Sequence, residues 1–73
     1  MDSKSLKEIR TIKKLSQEKV GIAMGATQSF CSKLERNDIN NLSSKSLKRY
    51  AKALGGKLKV SIVFDDEEIE VGI

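Results

Sequence analysis

The spacing of apolar residues changes once along this 73-residue chain, at Gly55-Gly56, and no other feature constrains the fold as strongly. Before that pair, apolar side chains recur at helical spacing, in two stripes. The stripes are Leu6, Ile9, Ile12 and Leu15, and then Leu47, Tyr50, Ala51 and Leu54. After the pair, apolar residues alternate with polar ones, as in a strand, at Leu58, Val60, Ile62 and Phe64. We therefore expect a mainly α-helical fold with C-terminal β-strands.

Length and cysteine content limit how such a fold can be stabilised. Seventy-three residues form one domain with a modest core. The chain has no histidine and a single cysteine, Cys31, so we expect no metal, no cofactor and no disulfide within the chain. Association with a second copy is the remaining support. An unpaired thiol, no signal-peptide core and no apolar run near the ~20 residues of a membrane span favour a cytoplasmic protein.

Capping residues and glycines set the predicted helix boundaries. We expect helix 1 from Ser3 or Ser5 to Lys14, helix 2 from its cap at Ser16 to Gly25, helix 3 from Gln28 to Arg36, and helix 4 from Ser43 or Ser44 to Gly55. Residues 37–41 should form a polar loop. Ile69, Val71 and Ile73 repeat the strand alternation after the acidic turn at residues 65–67.

The segment Met24-Gly25-Ala26-Thr27 separates two short helices, which is the arrangement of a helix-turn-helix motif. Gly25 can adopt the positive φ of a sharp turn, and Gly21 lets helix 2 approach helix 3 closely. The inward residues should be Val20, Met24, Phe30, Cys31 and Leu34. The outward residues of helix 3 are Gln28, Ser29, Ser32 and Lys33, which suit base edges and phosphates, although a solvated surface is the alternative.

Charge is distributed unevenly along the chain. Residues 1–59 carry all 14 cations and five acids, a net charge of +9, whereas residues 60–73 carry five acids and no cation, a net charge of −5. A positive body attracts nucleic-acid phosphates, but a solvated lysine-rich surface explains the charge alone equally well. An enzyme is disfavoured, because the chain has no nucleophile beside a base, no phosphate loop and no metal-ligand cluster. A protein-interaction module would leave the outward face of helix 3 unexplained.

Residues 16–35, SQEKVGIAMGATQSFCSKLE, resemble the XRE family of helix-turn-helix proteins, which includes phage repressors and Cro. The resemblance implies a four-helix, lambda-repressor-like domain over residues 1–56. It also implies a set of DNA-binding residues: Gln17, Thr27, Gln28, Ser29, Ser32 and Lys33. Gln28 would read a base, and Gln17 would bind a phosphate and brace Gln28. Arg10 and Glu35 match a structural ion pair between helices 1 and 3. Lys14 departs from the family's usual glycine.

Two residues of this segment have competing interpretations. Cys31 could be a redox sensor, but it falls at a buried aliphatic position of the family, so we interpret it as a core thiol. Phe30 and Tyr50 are likewise expected in the core.

Residues 53–64, ALGGKLKVSIVF, resemble antitoxins of the HigA and HipB type, in which the terminal strand helps form the dimer. Residues 57–73 would then be a strand segment that dimerises through Leu58, Val60, Ile62 and Phe64. A lone hairpin is marginal in water and leaves strand edges unpaired, so pairing with a second subunit would stabilise it. The alternative is a hairpin within one chain that has no role in a dimer.

Together these resemblances imply a transcriptional repressor that binds a palindromic duplex operator as a homodimer. It would be the antitoxin of a type II toxin-antitoxin system, with a HipA-like kinase or a HigB-like ribonuclease as its toxin. The alternative is a regulator of a phage or mobile element that has no toxin partner.

Overall fold

The computed structural model describes residues 3–73, which form four α-helices followed by a two-stranded antiparallel sheet. The helices are α1 (Leu6–Ile12), α2 (Gln17–Ala23), α3 (Gln28–Arg36) and α4 (Ser44–Ala53), and the strands are β1 (Val60–Val63) and β2 (Glu68–Val71). The expected fold class is thus confirmed. Among the described residues, every helix is too short or too polar to cross a membrane.

Each helix begins at a hydroxyl-bearing residue that caps its first turn. The side chains of Ser5, Ser16, Thr27 and Ser43 each accept a hydrogen bond from the backbone amide three residues further on. Helices of seven to ten residues are barely stable in isolation, so a cap that contributes ~1 kcal/mol matters here. The predicted N-termini of α2, α3 and α4 are therefore confirmed, and of the two candidates for the start of α1, Ser5 is the N-cap.

The C-terminus of α1 was predicted two residues too late. The helix ends at Ile12, and Lys14 has a φ of 58°, in the left-handed region where a helix cannot continue. This is the position at which the XRE family usually has glycine. The predicted loop 37–41 also differs, because Ile39–Asn41 form one turn of 3-10 helix capped by the side chain of Asp38.

The two glycines of the motif have the geometry that the sequence predicted. Gly25 has a φ of +73° and turns the chain between α2 and α3. A Cβ on Gly21 would lie only 2.3 Å from the backbone oxygen of Thr27, so only glycine allows α2 to approach the start of α3 this closely. Helices α2 and α3 consequently form the most extensive helix–helix interface.

The core lies between α2, α3 and α4. Its buried members are Val20, Met24, Cys31, Leu34 and Tyr50, each at most 5% exposed. The prediction that Phe30 lies inward was wrong, because Phe30 is 39% exposed. Ile12, a member of the first apolar stripe, is 57% exposed. Ile12 is the last residue of the shortened α1, and Phe30 lies at the edge of α3 beside Lys33 and Asn37.

The two strands pair with each other within one chain. Val60 pairs with Val71 and Ile62 with Ile69, so these side chains share one face of the hairpin. That face is open to solvent in the monomer, since Ile62 is 55% and Ile69 50% exposed. β1 is shorter than predicted, and Leu58 and Phe64 lie just outside its ends.

Candidate nucleic-acid interface

The outward edge of α3 carries the polar side chains that the sequence singled out. Gln28, Ser29 and Lys33 are exposed, and Ser32 is half-buried. The first turn of the helix is held by Thr27, whose hydroxyl accepts a hydrogen bond of 3.2 Å from the backbone amide of Phe30. Short polar groups on the first turns of an exposed helix can reach base edges and phosphates in a major groove.

Behind this edge, Glu35 of α3 forms an ion pair with Arg10 of α1. The Arg10 Nε donates a hydrogen bond to Glu35 Oε2 at 2.7 Å, and a second guanidinium nitrogen lies 3.3 Å from Oε1. Arg10 also donates to the backbone oxygen of Leu15 at 2.7 Å. The two side chains are 10% and 3% exposed, so this is a nearly buried charge pair with most of its hydrogen-bonding groups satisfied.

Three further side chains donate to the same carboxylate. Tyr50 donates from its hydroxyl at 2.6 Å, Gln17 from its amide nitrogen at 3.1 Å, and Cys31 from its thiol at 3.4 Å. Sequence reasoning placed Tyr50 and Cys31 in the core without predicting that they would meet Glu35. The one available signal was chemical, because a buried phenol usually finds a hydrogen-bond partner. Glu35 therefore connects α1, α2 and α4 to α3, the second helix of the helix-turn-helix motif, which we call the recognition helix.

These contacts change the ionisation of the cluster. Burial by itself would raise the pKa of Glu35, but the hydrogen bonds from Arg10, Tyr50, Gln17 and Cys31 outweigh it and lower the pKa to about 2. Burial, followed by the charge and hydrogen bond of Glu35, raises the pKa of the Cys31 thiol to about 11. Cys31 is thus a protonated, fully buried thiol, as expected for a core residue and unlike a reactive one.

Gln17 links this cluster to the polar edge of α3 formed by Gln28, Ser29, Ser32 and Lys33, which we call the recognition edge. Its amide nitrogen points to Glu35, and its half-buried side chain lines a shallow depression of about 420 Å³ together with Gln28 and Arg10. The hydrogen bond to Glu35 restricts the orientation of the amide, a role that the sequence did not predict. Gln17 and Gln28 line the same depression, and the bracing of Gln28 by Gln17 stays a prediction.

A second contact not predicted from sequence supports the turn itself. Arg49 of α4 donates a hydrogen bond to the backbone oxygen of Met24, the C-cap residue of α2. The last carbonyls of a helix lack partners within the helix, and a guanidinium is a strong donor to them. α4 thereby holds the residue that immediately precedes Gly25.

The expected dimerisation residues lie apart from this edge, in the C-terminal segment. Leu58 is half-buried beside α1 and α4, whereas Val60, Ile62 and Phe64 are 39%, 55% and 51% exposed. The last three follow one another on the apolar face of the hairpin.

Two helices joined through a glycine turn, with the second presenting a polar edge and anchored by a buried ion pair, define a helix-turn-helix protein. The chain belongs to the helix-turn-helix family, whose model matches residues 6–60. Among proteins of known sequence it is similar to the candidate antitoxin HigA2 of Mycobacterium tuberculosis, with 34% identity over 62 residues. That match covers 85% of this chain and 61% of the relative, so the chain spans less than two thirds of the relative's length.

Two solved structures are similar over the whole chain. One is the DNA-bound antitoxin HigA3, with a TM-score of 0.89, 31% identity, and coverage of 100% of this chain and 95% of that one. The other is a HigA antitoxin described for DNA bending induced by its unique dimerization, with a TM-score of 0.88, 31% identity, and coverage of 100% and 97%. The resemblance to XRE-type proteins and to HigA antitoxins is thus confirmed.

Proposed function

We propose that this protein is a HigA-type antitoxin that represses transcription by binding a palindromic DNA operator. The observation that carries the proposal is the exposed polar edge of α3, held on a rigid support by the Glu35 cluster. Base recognition needs side chains that are available to DNA on a helix whose orientation does not vary. The similarity to a DNA-bound antitoxin over the full length of this chain supports the same conclusion.

The proposed contact residues divide into two classes. Gln28, on the first turn of α3, reads a base, because its amide can pair with both N6 and N7 of adenine. The remaining members, Gln17, Thr27, Ser29, Ser32 and Lys33, complete the face through phosphates and neighbouring bases. The net charge of +9 over residues 1–59 adds sequence-independent attraction to the duplex.

The protein acts as a homodimer that the hairpin holds together. One recognition helix covers only a few base pairs, whereas two helices about 34 Å apart read two half-sites of a palindrome. Val60, Ile62 and Phe64 form an exposed apolar face together with Ile69, and a second copy would cover it. The dimerization described for the similar HigA structure supports this proposal.

In the proposed cellular role, the protein neutralises a toxin in the cytoplasm. It also represses the operon that encodes both the toxin and itself. The toxin would be a HigB-like ribonuclease or a HipA-like kinase. The name of the similar HigA2 protein supports an antitoxin over a phage or mobile-element repressor that has no toxin.

The antitoxin role is tested by purifying the protein together with the product of the neighbouring gene. We expect the two proteins to form a stable complex in which the neighbouring product is no longer toxic. A neighbouring product that is not toxic on its own would favour the repressor without a toxin partner.

DNA binding is tested with an electrophoretic mobility-shift assay across a range of salt concentrations, using the upstream region of its own gene. Affinity should fall steeply as salt rises, because each neutralised phosphate releases counter-ions. Binding that is indifferent to both salt and sequence would contradict the proposal.

The dimer is tested by analytical ultracentrifugation of the wild type and the Ile62→Asp variant. The substitution should weaken self-association and operator binding together.

A further inference from the structure

An apolar groove of about 390 Å³ lies between α1 and α4. Its apolar lining includes Leu6 and Ile9 of α1, Leu47 of α4, the C-cap residue Leu54 that follows α4, and Leu58 just before the hairpin. Among the described residues, none that line the groove belongs to α2 or α3, so the groove is separate from the recognition edge.

The charged residues of the groove all have the same sign. Lys4, Lys13 and Lys57 belong to the lining, are exposed, and have no acidic neighbour within the lining of the described residues. A groove of this kind suits an occupant that combines apolar side chains with negative charge.

The tip of the hairpin has that composition. The turn between β1 and β2 contains Asp65, Asp66 and Glu67, and Phe64 beside it is 51% exposed. The backbone amide of Phe64 donates to the oxygen of Glu67 at 2.7 Å, which closes the turn and fixes its shape. Residues 60–73 contain no cation, and neither ion pair found among the described residues includes Asp65, Asp66 or Glu67.

We propose that the groove of each subunit binds the hairpin tip of a second copy of this chain. The proposal rests on the homodimer of the proposed function and specifies how that dimer is held. Phe64 enters the apolar lining, and the acids at residues 65–67 lie against Lys4, Lys13 and Lys57.

The position of the groove in the fold supports this arrangement. Residues 55–58 line it, and they lead directly into β1, so the groove lies at the base of the hairpin. The tip is at the opposite end of the hairpin, four residue pairs or about 13 Å further on, and residues 64–67 are not part of the groove lining of their own chain. When two hairpins pack their apolar faces together in opposite directions about a dyad, each tip meets the base of the other. Both grooves are then filled by one closed twofold contact.

Charge reversal tests the contact through complementation between two variants of the full chain. The rim variant carries Lys13→Glu and Lys57→Glu, and the tip variant carries Asp66→Lys and Glu67→Lys. In each variant alone, the groove and the tip carry charge of the same sign and repel each other. The dissociation constant of the homodimer should therefore rise about tenfold or more at low salt. In a mixture, both contacts of the heterodimer join opposite charges, so the dimer should form again.

Analytical ultracentrifugation and affinity capture of one tagged variant by the other measure this outcome. The matched control is Lys45→Glu with Lys48→Glu, which alters two exposed lysines of α4 outside the groove and should leave dimerisation near wild type. Circular dichroism establishes that each variant is folded. A chain that carries all four substitutions should dimerise with itself.

The possible results separate this inference from the proposed function. If both charge variants dimerise like the wild type while Ile62→Asp is monomeric, the hairpin dimer stands and the groove contact is wrong. If the mixture remains monomeric, the charge complementarity is wrong. If the rim variant dimerises normally but no longer binds a toxin, the groove serves a different protein, and the inference is overturned. A wild type that is monomeric at high micromolar concentration would overturn the dimer itself.

Discussion

The phenol of Tyr50 in α4 donates a hydrogen bond of 2.6 Å to the carboxylate of Glu35 in the recognition helix α3. Tyr50 is 1% exposed, so its ring is a core residue while its hydroxyl belongs to the polar cluster. The same carboxylate oxygen accepts from Arg10 at 2.7 Å. The recognition helix is therefore fixed to α1 and α4 through one acidic side chain, and the stability of the fold should depend on that side chain being ionised.

Arg10→Ala should lower the free energy of unfolding by about 3 kcal/mol, because it leaves a buried carboxylate without its counter-ion. Urea denaturation measures the change. The control is Lys59→Ala, which removes the exposed ion pair with Glu70, whose atoms are 3.9 Å apart and whose side chains are 66% exposed. That variant should change stability by less than ~1 kcal/mol. Equal effects of the two substitutions would contradict the structural role of Arg10.

Acid should destabilise the protein through Glu35. Its pKa is about 2 in the folded state, against an ordinary value of 4.5, so the folded state favours the ionised form. The contribution is fully present above pH 4.5 and is lost as the pH falls from 4.5 towards 2. Its size is about 3 kcal/mol, and Glu35→Gln should remove this part of the pH dependence. Denaturation of both proteins from pH 7 to pH 2 is the measurement; parallel profiles would disprove the assignment.

Gly21→Ala should destabilise the fold by about 1–3 kcal/mol or more, because the added Cβ meets the backbone oxygen of Thr27 at 2.3 Å and backbone cannot move aside easily. Gly72→Ala is the matched control, since a Cβ there meets nothing within 4 Å. Thermal unfolding of the two variants should give a clearly lower Tm for the first only. A Gly21→Ala protein as stable as the wild type would mean that α2 and α3 can separate at no cost.

Lys14→Gly should stabilise the protein by up to ~1 kcal/mol, because a side chain is disfavoured in the left-handed region that Lys14 occupies with a φ of 58°. Lys13→Gly serves as the control, since Lys13 has a φ of −80° and gains nothing from glycine. In chemical denaturation, the free energy of unfolding should rise for Lys14→Gly and fall for Lys13→Gly. A loss of stability in both would show that the side chain of Lys14 contributes more than its backbone strain costs.

Gln28→Ala should weaken operator binding by about 1–3 kcal/mol and relax the base preference at one position of each half-site. Lys33→Ala is the comparison, because loss of a phosphate contact should weaken binding to all sequences and reduce its salt dependence. Competition binding with a set of single-base operator variants distinguishes the two effects. If Gln28→Ala changed neither affinity nor preference, the reading residue would have to be sought elsewhere on α3.

The sequence by itself determined the local structure of this protein. Helix starts at Ser16, Thr27 and Ser43 could be predicted because a cap needs only a hydroxyl and an amide three residues away. The turn at Gly25 follows from a conformation that few other residues adopt. The two C-terminal strands are likewise predicted from alternation on both sides of an acidic turn, but their pairing within one chain is known only from the structure.

Only the tertiary structure decided which distant side chains meet. The convergence of Gln17, Cys31 and Tyr50 on Glu35, and the contact of Arg49 with Met24, depend on how three helices cross. The same holds for Phe30, which the helical period places inward but which lies at the edge of α3. Helical periodicity and helix capping depend on residues within about four positions of one another. The angle at which two helices pack depends on all the side chains at their interface, and these come from distant parts of the sequence.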